Sequence, residues 1–257
     1  MIVVLSGEGK SDLGHCGNSQ GQCRTPDFIP GPMTWLADQI IAQRLQYSLL
    51  DDTPFQYIFI AKPRLLALEQ QRKLELGKIS LPGKKREQET AYFHINAWML
   101  GEEALRLQEE HRDQAIAILF RDRDGTNSAH AGLWEDKWNS LVSGFARSRL
   151  DDRGVPMLPK PISEAWLLCA AQAHPYQNCA ALEDMPGNDK SPNDLKSALK
   201  AAYGRNLSSV EQVEWLREHG YDDEEAASQM PSLQKFRHSL HVALTSLGLP
   251  PHNGVQQ

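Results

Sequence analysis

Two stretches of this chain are apolar at every position: Ile2 to Leu5, "IVVL", and Ala115 to Phe120, "AIAILF". A strand with one face in water alternates apolar and polar residues, so short unbroken runs like these suit strands covered on both faces, the usual condition of a parallel sheet. Parallel neighbours need long crossovers between them, and the intervening segments supply helical patterns.

"PGPMTWLADQIIAQRLQYSLL" places Pro32 in a first helical turn and aligns Leu36, Ile40, Ile41 and Leu45 on one face. Before it, residues 13–31 are polar and Gly-rich and read as a loop. "QYIFIA" (56–61) is a second strand, followed by a helix over "AKPRLLALEQQRKLEL" after its proline and a long helix over 88–111. Beyond "AIAILF" the pattern predicts a helix at about 134–150, a short strand "VPML" (155–158), and a helix from Ser163 in "PISEAWLLCAAQA". From about 186 three helical segments follow without a convincing strand. The expected class is α/β, with a mostly parallel sheet flanked by helices over residues 1–185 and a helical C-terminal part over 186–257.

Bulk properties narrow the partners. The 257 residues include 40% hydrophobic and 23% charged side chains, which places the chain among ordered globular proteins. A net charge of −6 argues against nonspecific coating of nucleic acid, which depends on phosphate neutralisation, though a local basic face is compatible with it. No apolar run approaches the roughly 20 residues that span a bilayer, and "MIVVLS" lacks the basic flank and cleavage site of a secretory signal. The four cysteines, Cys16, Cys23, Cys169 and Cys179, are too few to suggest a disulfide framework; reduced thiols and a cytoplasmic protein are expected.

Acids cluster where strands end. Glu8 stands two residues beyond the first strand, "IVVLS" (2–6), between Gly7 and Gly9, with Asp12 four residues on. Asp122 and Asp124 follow "AIAILF", and Glu164 follows "VPML" at the start of a helix. In an open parallel sheet, functional groups gather beyond the carboxyl ends of the strands. Carboxylates brought together raise one another's pKa unless a cation neutralises them, and hard oxygen donors suit Mg²⁺ or Mn²⁺. Such an ion can activate water and stabilise a leaving oxygen in phosphodiester cleavage. Taken singly, an acid after a strand is more often a turn residue or a helix cap.

The strand ending in "GEGKSD" and the later one ending in "DRDG" resemble the two signature motifs of the TOPRIM domain, a Rossmann-like α/β fold: a glutamate after the first strand and an Asp-x-Asp pair after a later one. Glu8-x-x-x-Asp12 is similar to the Glu-Gly-x-x-Glu of the overcoming-lysogenization-defect nucleases, with Asp12 in place of the second glutamate. "PISEAWLL" and "MPSLQKFRHSL" resemble motifs of a bacterial TOPRIM-like family of unknown function often encoded beside ATPases in defence loci. The 13–31 insert departs from the compact form of that domain. The resemblance implies a Mg²⁺- or Mn²⁺-dependent nuclease acting on DNA or RNA in anti-phage defence. Glu8 would be general acid/base or metal ligand, Asp122 and Asp124 metal ligands, and Asp12 and Glu164 further ligands.

Other readings compete for the same residues. A non-catalytic or conditionally active partner subunit of an ATPase would use the acids to bind a metal or nucleotide. "ILFRDRDGTN" also resembles the first motif of haloacid-dehalogenase-type phosphatases, with Asp122 as nucleophile, but a second acidic pair at a strand end is needed and "YDDEE" (221–225) falls in the helical third. "GEGKS" lacks the first glycine of a phosphate-binding loop, so an ATPase is rejected, while Lys10 remains a candidate phosphate contact beside its simpler role as a solvated lysine. "PGKKRE" supplies Lys84, Lys85 and Arg86 as the main nucleic-acid candidates, set against an ordinary solvated charge run. His15, Cys16 and Cys23 lack the paired spacing of a zinc site, and a small mobile loop is the simpler account. Trp166 and Cys169 read as packing residues.

Overall fold

The computed structural model describes residues 1–76, 88–122, 132–187 and 194–250. In chain order its strands and helices begin with β1 (Ile2–Ser6), β2 (Gly14–Cys16), β3 (Gln22–Cys23), β4 (Phe28–Pro30), α1 (Pro32–Leu45), α2 (Leu49–Asp52) and β5 (Tyr57–Ile60). They continue with α3 (Lys62–Leu76), α4 (Gln88–His111), β6 (Ala115–Phe120), α5 (Leu133–Ser148), β7 (Gly154–Met157) and α6 (Ser163–Ala171). Four helices complete the described chain: α7 (Leu195–Tyr203), α8 (Ser209–His219), α9 (Asp223–Gln229) and α10 (Pro231–Ser246).

The fold is α/β, as the apolar runs require. A five-stranded sheet has the order β3-β5-β1-β6-β7, in which β5, β1, β6 and β7 are parallel and the short β3 runs antiparallel to β5. All residues of β1, β5, β6 and β7 are buried, so both faces of the sheet are covered. One face carries Val3, Leu5, Ile116, Ile118 and Phe120 against α1, α6 and the C-terminal helices. The other carries Ile2, Val4, Ala117 and Leu119 against α3, α4 and α5. The first core is continuous across position 186: Leu195, Leu216, Phe236 and Leu240 pack in the same cluster as Trp166 and Val155.

Two contacts show how closely the layers meet. A Cβ on Gly144 of α5 would collide with the His94 carbonyl and the Ala97 side chain of α4, so glycine sets that helix separation. In α1 the buried Asp38 accepts hydrogen bonds from Tyr57 Oη (2.7 Å), Ser48 Oγ (2.6 Å) and the Leu49 amide (3.1 Å), tying helix to sheet. That carboxyl is pushed up by burial, and its partners account for its place as a structural anchor.

Two sequence expectations need correction. Residues 13–31 are more than a loop: β2 pairs with β4, and β3 adds to the main sheet beside β5. The cysteines are not reduced thiols. Cys16 is bonded to Cys23 across this insert, with Cα atoms 5.7 Å apart, and Cys169 of α6 is bonded to Cys179, with Cα atoms 5.2 Å apart. The reason is local chain reversal. The Tyr176 amide returns to the Cys169 carbonyl at 2.8 Å, which brings the segment after α6 back along it. Alkylation of the folded protein without reductant should therefore leave all four cysteines unmodified, and reduction in denaturant should expose all four, as counted by mass spectrometry. By loop closure each bond contributes about 2 to 3 kcal/mol. Ready alkylation of native protein would contradict the pairing.

Candidate functional site at the sheet edge

With β5-β1-β6-β7 as the parallel order, the chain leaves β1 towards α1 on one face and leaves β6 towards α5 on the other. Such a reversal opens a crevice between the two strand ends, the place where ligands bind in open α/β sheets. Glu8 and Asp12 leave β1 there, and Arg121 and Asp122 leave β6.

Gly9 takes the left-handed φ of 73° in the turn after Glu8. The Asp12 backbone carbonyl accepts from the Met33 amide at 3.0 Å, seating the loop on the start of α1. Gly31 makes that possible, since a Cβ there would collide with the Ser11 and Asp12 carbonyl oxygens.

Ser163, first residue of α6, joins three of the expected acids. Its hydroxyl contacts Asp12 Oδ1 and lies 3.4 Å from Glu164 Oε2, while its amide donates to Asp122 Oδ1 at 3.2 Å. Asp12 also accepts from Ser11 Oγ at 3.1 Å. Burial pushes the Asp12 carboxyl up, against the hydrogen bonds from Ser163 and Ser11 and the charge of Lys196 in α7. Burial pushes Glu164 up as well, reinforced by the charge of Asp12 and opposed by Lys196.

Glu8 has a different neighbour. Its Oε1 is 3.4 Å from Arg121 Nε, the carboxylate side chain being 27% exposed and the guanidinium 0%. Arg121 also donates to the Phe120 carbonyl (2.7 Å) and to Asn96 Oδ1 (2.9 Å), and its guanidinium carbon lies 5.5 Å from the Tyr92 ring centroid. Burial pulls this guanidinium down, with Tyr92 and Glu8 acting to hold the charge. A buried cation is costly unless paired and bonded, and Glu8 supplies the negative charge.

The expected residues thus divide. Asp12, Asp122 and Glu164 meet around Ser163, and Glu8 pairs with Arg121. Lys10 is exposed in the loop after β1, its carbonyl 3.3 Å from His15 Nδ1. Asp124, Lys84, Lys85 and Arg86 lie outside the described residues. Trp166 is buried, donating to Ser232 Oγ at 2.8 Å and stacked on Phe236, which fits a packing role. Cys169 is a disulfide partner as well as a packing residue. Asp223 of "YDDEE" is bound to Arg237 (2.5 Å) and to Gln43 (2.6 Å), an engagement remote in chemistry from the second acidic pair a phosphatase would need.

Sequence reasoning missed Ser163, Lys196 and Arg121. Arg121 did leave a signal, because it stands two residues after Leu119 and so shares that residue's inward face. Ser163 adjoins Glu164 in the first turn of a helix, where a small hydroxyl residue is usually assigned to capping.

The donor set has the chemistry a hard divalent cation requires: oxygen ligands, desolvated, with two carboxyls pushed up by burial. Among the described residues no group of three or more His, Cys, Asp and Glu side chains is disposed to hold a metal ion. Comparison with protein-family models, with curated proteins and with solved structures finds no match.

The raised Asp12 and Glu164 fix a sign. Both bind a proton more tightly folded than unfolded, so stability in the absence of metal should fall as pH rises from ordinary carboxylate values through the raised ones. Melting temperatures of wild type and of an Asp12→Asn/Glu164→Gln variant in EDTA, from pH 4 to 8, should separate progressively, with the variant the more stable at pH 8. A wild type that gains on the variant with rising pH would contradict the assignment.

Proposed function

We propose that this protein is a metal-dependent phosphodiesterase of the TOPRIM type, a nuclease cleaving DNA or RNA. The observation that carries the reading is the meeting of Asp12, Asp122 and Glu164, from three separate strand ends, around Ser163 in the crevice between β1 and β6. The resemblance of "GEGKSD" and "DRDG" to the TOPRIM motifs supports it from the sequence side.

Glu8, Asp122 and Asp124 would hold Mg²⁺ or Mn²⁺, with Asp12 and Glu164 as further ligands. When bound, the ion supplies charge neutralisation for the phosphodiester and lowers the pKa of a water. The chain's own residues do the rest. Ser163 fixes the rotamers of Asp12 and Asp122 through its hydroxyl and amide. Arg121 orients Glu8, and a carboxylate so held can take a proton from an attacking water as a general base. Lys10, Lys84, Lys85 and Arg86 are the proposed backbone contacts. The setting in bacterial anti-phage defence comes from the resemblance alone. A cytoplasmic location, expected from the sequence, loses the support of free thiols now that the cysteines are paired. No helix among the described residues is long and apolar enough to cross a membrane.

A second reading draws on the Glu8–Arg121 pair. A general base or ligand tied to a buried guanidinium suits a subunit that becomes active only when an ATPase partner draws Glu8 away.

Purified protein incubated with plasmid DNA and with RNA in Mg²⁺ or Mn²⁺ should cleave one of them, and EDTA should stop it. Asp122→Asn should lower the rate by about 100-fold or more with a melting temperature near wild type, and Glu8→Gln should lower the rate as much while also lowering the melting temperature, because Arg121 loses its counter-charge. Cleavage appearing only when an ATPase partner is added would favour the second reading. Undiminished cleavage in both variants, or in EDTA, would overturn the proposal.

A further inference from the structure

On the α3/α4 face of the sheet edge, three buried polar atoms make no hydrogen bond of good geometry: Ser6 Oγ, which has no partner, Tyr92 Oη, which lies against the Arg121 guanidinium, and Arg121 Nε, which has only the 3.4 Å approach of Glu8. Ser6 and Arg121 are both 0% exposed. The strands bring them together. β1 and β6 are parallel with Ser6 opposite Leu119, so side-chain alternation turns Ser6, Leu119 and Arg121 to the same face. The guanidinium stands 5.5 Å from the Tyr92 ring centroid, and Lys62 Nζ, at the exposed start of α3, stands 5.3 Å from the same ring.

A buried donor left unpaired costs stability, and native proteins keep such groups where something else uses them. All three groups can donate, and Lys62 adds a second cation to the Arg121 guanidinium. That combination repels a metal ion and suits an anion with several acceptor oxygens. Buried water could satisfy the two hydroxyls, but it would give no reason for placing a second cation, Lys62, at the rim.

We propose that Ser6, Tyr92 and Arg121, with Lys62 at the rim, form a seat for a phosphate group of the substrate strand, beside Glu8 and across the sheet edge from the Asp12–Ser163–Glu164 cluster. The proposal rests on the phosphodiesterase reading and adds to it the residues that hold the substrate. A phosphate oxygen takes the Arg121 Nε–H now facing Glu8 at 3.4 Å, so that substrate binding releases Glu8 towards the acids. The seat meets solvent at Lys62, which is exposed, and at Glu8, which is 27% exposed.

The test measures binding by the whole chain in EDTA, so that it is separate from cleavage. The probe is a fluorescein-labelled single-stranded oligonucleotide, with inorganic phosphate and a nucleoside monophosphate as competitors. Tyr92→Phe and Ser6→Ala each remove one hydroxyl and no charge. Each should weaken oligonucleotide binding by about tenfold while leaving the melting temperature unchanged or higher, since an unsatisfied group is gone. Lys62→Gln should lower the slope of log affinity against log salt by about 1. Competition by inorganic phosphate as well as by the strand would show a seat for the free anion, and competition by strand alone one for the backbone phosphate; either supports the seat. Wild-type affinity in both hydroxyl variants overturns it, as does wild-type protein that binds none of the three probes. A loss of affinity that tracks a falling melting temperature in both variants also overturns it. If wild type cleaves and Tyr92→Phe and Ser6→Ala cleave with an unchanged KM, the seat fails and the nuclease reading stands. If hydroxyl-dependent phosphate binding is found without cleavage under any condition, the seat stands and the nuclease reading fails.

Discussion

The parallel pairing of β1 with β6 is the constraint from which the rest of this structure follows. Two strands buried on both faces run side by side in register, from Ile2 opposite Ala115 to Ser6 opposite Leu119. Their chains then diverge to opposite faces of the sheet. Because the register is fixed by apolar burial, the positions of Glu8 and Arg121 past the strand ends are fixed with it. A slip of one residue would turn Arg121 onto the other face and bury Phe120 where Leu119 now packs.

That edge is electrostatically divided. On the α1/α6 side, desolvation raises both Asp12 and Glu164, the charge of Asp12 raises Glu164 further, and Lys196 relieves both only in part. On the α3/α4 side, Arg121 carries a fully buried positive charge answered by Glu8. Glu8 therefore stands between a region short of positive charge and one holding an excess of it. A charge separation of this kind is expensive to fold, and sites that bind a cation on one hand and an anion on the other are where it is commonly maintained. The disulfide from Cys169 to Cys179 bears on the same edge, because it anchors the helix whose first turn presents Ser163 and Glu164.

Much of the fold was readable from the chain. β1, β5, β6 and β7 are apolar runs bounded by polar turns, and α1, α4 and α5 show helical periodicity over fourteen or more residues. Both signals survive in one sequence because they come from the burial of apolar surface, the strongest force driving folding. The 13–31 insert was not readable, since strands of two and three residues are too short to show a period, and β3 is held by pairing with β5 and a disulfide. Cysteine spacing does not give pairing, which depends on how the chain turns back after α6. Helix α9, which begins in the acidic "DDEE" run, was hidden by the polarity of its first turn; Asp222 caps it through the Glu225 amide, and Arg237 neutralises Asp223 and Glu224. At the site the acids were legible as residues beyond strand ends. The grouping around Ser163 and the pairing of Glu8 with Arg121 depend on which face each side chain takes, and a list of acids does not carry that.

The central claim is that the carboxylates at the β1/β6 edge hold a divalent cation. Anomalous diffraction from crystals soaked in Mn²⁺ tests it directly. The account predicts a peak within about 2 to 2.5 Å of carboxylate oxygens from both strand ends, with Glu8 turned from Arg121 towards the ion. An empty edge at saturating Mn²⁺, with Glu8 still against Arg121, would contradict it.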